Sequence, residues 1–171
     1  MAETAIVVLA PEADPSVGRW QRTLTQAGSE GLGAHVTLLV PFADSDAIDD
    51  RLSEVESALA PFGAFECALS ETGFFDWPGH ILFLRPEPRE KFLALIESVL
   101  NAFPEFPAYG GEVSEIVPHL TVARLDDNLD GLRRIEAELA HELPIHTFVD
   151  KVTIIERIHD RWRERTSIPL G

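Results

Sequence analysis

Two four-residue stretches of this chain carry the same chemistry, His35-Val36-Thr37-Leu38 and His119-Leu120-Thr121-Val122. In an extended strand successive side chains point to opposite faces, so each stretch sets an imidazole and a hydroxyl on one face and two apolar residues on the other. Two such strands across a groove would present two imidazoles, one able to take a proton and one to give it, flanked by hydroxyls that can donate to phosphate oxygens. An imidazole, with an ordinary pKa of ~6.5, serves in either role near neutral pH. That is the equipment for cleaving a phosphodiester without a metal. A single copy would say little, because β-branched Thr suits any pleated strand. Two copies in matching surroundings say more.

Those surroundings repeat as well. An apolar strand over 5–9 runs into Leu9-Ala10-Pro11-Glu12, and another over 80–84 runs into Leu84-Arg85-Pro86-Glu87. A helix follows each, over 16–27 with Trp20 and Leu24 on its apolar face, and over 89–102 with Phe92, Leu95, Ile96 and Val99 at helical spacing. Then come the His-x-Thr strand, a helix over 47–59 or 129–141, and a strand over 64–69 or 147–155. The order strand, helix, His-x-Thr strand, helix, strand thus occurs twice. It predicts an α+β, bilobal, duplicated fold, with two mainly antiparallel sheets facing a central cleft and helices on the outer faces.

In these motifs the chain resembles the 2H phosphoesterases, which include the 2′-5′ RNA ligase-like proteins and the 2′,3′-cyclic nucleotide phosphodiesterases. Both motifs match the family's His-hydrophobic-Thr-hydrophobic pattern, and Gly73-Phe74-Phe75 and the closing 162–170 segment look like that family too. The resemblance implies the same bilobal fold and a catalytic set of His35, Thr37, His119 and Thr121. It further implies that the His35 lobe supplies the acid when a 2′-phosphate is made. The expected activity is hydrolysis of a 2′,3′-cyclic phosphate, or of a related small nucleotide cyclic phosphodiester, by two-histidine acid-base catalysis. The alternatives are a 2′-5′ ligase-like enzyme that processes RNA ends, a non-catalytic module that sequesters a cyclic phosphate, and a hydrolase in which His35 and His119 hold a metal.

At 171 residues and 45% hydrophobic content the chain can bury a proper core. With no Ser- or Pro-rich linker it reads as one bilobal domain over 1–171. No apolar run approaches the ~20 residues of a membrane span, and no basic stretch leads a long apolar one at the start. A monomeric, cytoplasmic protein without a membrane partner is expected. The lone Cys67 reads as a small buried hydrophobe. No metal is called for, since the chain has neither His-x-x-x-His nor Cys-x-x-Cys spacing, and His80, His141, His146 and His159 have no partners at ligand spacing. No cofactor is expected either, because there is no Gly-x-x-x-x-Gly-Lys loop for a nucleoside triphosphate.

Charge bears on the substrate. With 29 acidic and 14 basic residues the chain carries −15, which repels a long polyanion and favours a small nucleotide cyclic phosphate or a short RNA end over long nucleic acid. Four arginines gather near the end, Arg157, Arg161, Arg163 and Arg165, the last three alternating along one strand face. They are either a solvated edge that discourages strand pairing or a rim for a terminal phosphate. Phe42, Phe75, Tyr109 and Trp162 could stack a base or pack in the core. Phe42, Phe75, Tyr109 and Arg161 form the expected substrate-binding set.

Overall fold

The computed structural model of the chain describes residues 3–76 and 79–171. Eight strands form two antiparallel four-stranded sheets. The first sheet runs in the order β2 (His35–Leu39), β1 (Glu3–Leu9), β7 (Lys151–Ile158), β8 (Arg161–Pro169). The second runs β5 (Leu120–Arg124), β4 (Ile81–Glu87), β3 (Phe65–Phe75), β6 (Ile145–Val149). The first His-x-Thr motif stands on β2 and the second runs into β5, with His119 immediately before that strand; both are outermost strands, and they lie against each other. The α+β architecture is as expected.

The two halves are interlaced more than a pair of self-contained lobes would be. β3, from the first half, pairs with β4 of the second, while β7, from the second half, pairs with β1 of the first. The helices cross as well: α1 (Asp14–Leu24) packs on β5, and α4 (Arg89–Ala102) packs on β2. One core cluster runs under both sheets, with Ile6, Val8, Val36 and Leu38 joined to Leu82, Leu84, Leu120 and Val122. The apolar positions predicted for the second half's first helix, Phe92, Leu95, Ile96 and Val99, are all within it. Burial of such side chains contributes about 1.5–3 kcal/mol each.

Several boundaries differ from expectation for local reasons. The helix expected over 16–27 stops at Leu24, where Thr25 turns extended and its hydroxyl caps a short following turn, α2 (Gln26–Ser29), by accepting from the Gly28 N–H at 3.0 Å. A Cβ at Gly28 would collide with the Gln21 carbonyl oxygen, so the close approach of α2 to α1 requires glycine. The strand expected over 147–155 is two strands, broken at Asp150 where the chain passes from one sheet to the other. The strand expected over 64–69 continues to Phe75 through a bulge beyond Leu69, which keeps Cys67 and Leu69 toward the core and turns Gly73 and Phe75 to the opposite face. The remaining helices are α3 (Ile48–Leu59), which packs on α4, and α5 (Leu129–Leu139). No helix among the described residues is long and apolar enough to cross a membrane.

The sheet face opposite the core is partly covered over β1 and β7. There Ala5, Val7 and Ile155 form a small cluster beneath Leu32 and Trp162, brought across by the segment after α2, whose Glu30 carbonyl accepts from the Trp162 N–H at 2.9 Å.

Candidate active site

Register places the motif side chains on this second face. His35 is paired with Leu9 and Thr37 with Val7, while Val36 pairs with the core residue Val8. In the other sheet Thr121 is paired with Phe83, and Leu120 with the core residue Leu84. All four motif residues, His35, Thr37, His119 and Thr121, are half-buried, whereas the alternating apolar partners Val36, Leu38, Leu120 and Val122 are fully buried. The 2.0 periodicity read from the sequence is thus the geometry that separates chemistry from core.

The same device holds both imidazoles. His35 Nδ1 lies 2.9 Å from the Gly33 carbonyl oxygen, and His119 Nδ1 lies 2.7 Å from the Val117 carbonyl oxygen. A carbonyl can only accept, so Nδ1 carries the hydrogen in each ring and Nε2 is left as the second, reactive nitrogen. In the neutral ring Nε2 is a base; in the imidazolium it is an acid. Burial pushes both histidines below the ordinary imidazole value, against the opposing effect of these backbone hydrogen bonds. A charge on His119 lowers His35 further, while the carboxylate of Asp14 favours the charged form of His35.

The surroundings of the two rings differ. His119 sits among three aromatic rings: Phe75 edge-on at 4.9 Å between centroids, Phe83 at 5.6 Å and Tyr109 stacked at 6.4 Å. Phe75 in turn stacks on Phe83 at 4.2 Å. Tyr109 reaches His119 from a 3-10 turn (Ala108–Gly111) in the segment between α4 and β5, its backbone in the left-handed region at φ 51° and its N–H donating to the Val40 carbonyl at 2.8 Å. A non-glycine residue held there is costly and points to a constrained local role. Burial pushes the Tyr109 phenol up to about 12.

Of the residues expected to bind substrate, Phe75 and Tyr109 therefore stand beside His119. Phe42 does not. It is 6% exposed and packed edge-on against Phe103 and Phe106, so it is a core residue with no free face for a base. Arg161 opens β8, three strands from His35, where it donates to the Ser29 carbonyl and lies against Gly31. Its neighbours in the terminal arginine group are paired. Arg163 and Arg165 both reach the buried carboxylate of Glu156, Arg165 also meets Asp49, and Arg157 binds Glu30 and Asp160. These three arginines brace the sheet, which neither the solvated-edge nor the phosphate-rim reading anticipated.

Sequence reasoning missed two residues of α1 that hold the site in place. Asp14 Oδ1 accepts from the Ala34 N–H at 2.8 Å, which fixes the segment that carries both His35 and its acceptor Gly33. Seven residues on, the buried Gln21 donates from Nε2 to the Thr121 carbonyl at 2.8 Å. One helix thus grips both edge strands. The only available signal was the helical spacing of two polar residues on a face otherwise apolar. A groove of about 760 Å³ runs past Gly33 and Ala34, lined also by Glu12, Asp14, Asp150 and Glu164; none of the four motif residues lines it. Among the described residues no three His, Cys, Asp or Glu side chains gather as a metal site would require.

A family model described as the 2′-5′ RNA ligase superfamily matches residues 9–161, a span that takes in both motifs. The chain belongs to that superfamily. Solved structures similar to this member of the 2′-5′ RNA ligase superfamily span its whole length. TT0787 of Thermus thermophilus is 17% identical with a TM-score of 0.66, covering 98% of this chain and 97% of its own. LigT of E. coli, solved with 3′-AMP, is 13% identical with a TM-score of 0.67 over 99% and 98% of the two chains. The same protein solved with NADP+ gives 14% identity and 0.61 over 99% and 97%. At these identities the likeness is one of fold. No curated protein matches the chain.

Proposed function

We propose that this member of the superfamily is a metal-independent phosphoesterase that hydrolyses a 2′,3′-cyclic phosphate, or a closely related small nucleotide cyclic phosphodiester. The observation that carries this reading is the matched pair of Nδ1 hydrogen bonds, which leaves one reactive Nε2 on each of two adjacent edge strands. His119, neutral, takes a proton from water as the water oxygen attacks phosphorus. His35, charged, gives its Nε2 proton to the ribose oxygen as the P–O bond breaks. One water is consumed, a phosphate monoester and a free hydroxyl result, and the proton gained by His119 returns to His35 through solvent. Asp14, which favours the imidazolium of His35 and has no counterpart at His119, supports this division of roles. Thr37 and Thr121 donate to the non-bridging oxygens, where charge grows in the transition state. Phe75 and Tyr109 exclude water around His119.

A similar fold holds 3′-AMP and NADP+ in E. coli LigT, which supports a small nucleotide ligand. The test is a panel of nucleoside 2′,3′-cyclic phosphates and a cyclic-ended RNA, with products assigned by phosphorus NMR and with chelator present in parallel. Ring opening that survives chelator is expected. Tight binding without turnover would mean a sequestering module, and loss of activity in chelator would mean a metal enzyme.

A further inference from the structure

Arg85 lies on the site face of β4, two residues from Phe83 and in the strand next to β5. Phe83 pairs with Thr121 on one side and with Gly73 on the other, so Thr121, Phe83 and Gly73 form one row across three strands. The Arg85 side chain folds down over that row. Its Cζ is 5.2 Å from the Phe83 ring centroid, and a Cβ built on Gly73 would lie 2.8 Å from its Nη2 and 2.5 Å from Phe83 Cζ. Glycine at 73 thus opens the space in which ring and guanidinium lie flat against the sheet. The same Phe83 ring contacts His119.

The charge of Arg85 is unpaired. Among the described residues Arg85 meets no carboxylate within 4.0 Å, which is equally true of Arg22, Arg89, Arg133, Arg134 and Arg161; what sets Arg85 apart is that it lies over the Phe83 ring, which contacts His119. Glu71, directly across in β3, is its nearest register partner and forms no ion pair with it. In a chain of net charge −15, an exposed guanidinium lying over an aromatic ring that contacts His119 is suited to meet an anion. Two strand spacings separate Gly73 from Thr121, about 10 Å, which is the reach of one nucleoside from the phosphate held at the threonines.

We infer that Arg85, seated over Gly73, binds a second phosphate of the substrate, so that the preferred substrate is a cyclic phosphodiester with a further phosphate one nucleoside away. This rests on the phosphoesterase reading above. Both a 5′-phosphate monoester and the internal phosphodiester of a short cyclic-ended oligonucleotide supply that group, and Arg85 reads the chemistry they share.

The experiment compares a nucleoside 2′,3′-cyclic phosphate with its 5′-phosphorylated form and with a cyclic-ended dinucleotide, for the wild type, Arg85→Gln and Arg85→Lys. In the wild type the second phosphate should raise kcat/KM about tenfold, mainly through KM, as a charge-assisted contact at an exposed site does. In Arg85→Gln the ratio should fall to about one, with Arg85→Lys between. A larger gain for the dinucleotide than for the 5′-monoester would identify the internal phosphodiester as the group read. A wild-type ratio near one, or a ratio that Arg85→Gln leaves intact, overturns the inference while the phosphoesterase reading stands. If no cyclic phosphate turns over, that reading fails, and calorimetric titration decides the subsite by itself. A nucleoside 3′,5′-bisphosphate should bind about tenfold more tightly than the 3′-monophosphate, and the preference should vanish in Arg85→Gln. Equal binding of the two ligands would dismiss the subsite.

Discussion

At the scale of single residues the two histidines carry the sharpest expectations. His35→Ala or His119→Ala should lower turnover by about 10²-fold or more with the fold intact, and Thr37→Ala or Thr121→Ala by ~10-fold to 10³-fold, measured as kcat on a 2′,3′-cyclic nucleotide. Near wild-type turnover in either histidine variant would sink the two-histidine mechanism. Because burial pushes both imidazoles down, the bell of kcat/KM against pH should be centred below the ordinary value of ~6.5, its limbs belonging to the coupled pair. The same depression links pH to stability. Between the lowered folded-state values and ~6.5 the unfolded chain binds more protons than the folded one, so this contribution is complete above ~6.5 and is lost as pH falls through the window. Denaturant midpoints measured from about pH 7.5 down to about 4.5 should show it as a slope that His35→Ala or His119→Ala makes shallower.

At the scale of elements, α1 is the part that couples the two edge strands. Asp14→Asn keeps an oxygen to accept the Ala34 N–H but removes the charge that favours the His35 imidazolium, so the alkaline limb of the bell should move to lower pH. A limb that stays in place would show that Asp14 acts only as a brace. Gln21→Ala leaves the Thr121 carbonyl without its donor, and should cost about 1–2 kcal/mol of stability and lower kcat more than it raises KM. The Glu156 network offers the opposite pattern. Glu156 is 1% exposed, and hydrogen bonds from Ser45, Arg163 and Arg165 hold its carboxyl below the usual range against the cost of burial. Glu156→Ala should therefore destabilise the fold by ~1–3 kcal/mol in urea while the folded fraction keeps its kcat, because the network lies on the core side of the sheet, away from the histidines.

At the scale of the whole molecule, net charge gives an expectation for substrate size. A protein at −15 repels each additional phosphate that has no local cation to meet it, and the paired state of Arg157, Arg163 and Arg165 removes the one basic track suggested by the sequence. A short cyclic-ended oligonucleotide, or a mononucleoside cyclic phosphate that also carries a 5′-phosphate, should thus be processed with kcat/KM at least equal to that of a long RNA with the same end. Binding should weaken only slightly with salt, because few counterions are released. Long RNA held far more tightly, with an affinity that collapses between about 50 and 200 mM salt, would contradict this.

The sequence by itself determined the two motifs, their alternation between site and core, the α+β class and the apolar faces of the helices. Each follows from residue types at strand or helix spacing, a local property of the chain. Helix α4 occupies the residues that its periodicity indicated, and Val36 and Val122 are buried because they alternate with the motif residues. What only the tertiary structure decided depends on contacts between segments distant along the chain. Nothing near Phe42 says that Phe103 and Phe106 will close over it, and nothing near Arg163 says that Glu156 will meet it. The exchange of β3 and β7 between halves places Gly73 beside Phe83, and the crossing of α1 to β5 sets Gln21 against Thr121. Strand pairing of this kind is chosen by the shape of the shared core, which forms only when both halves are present.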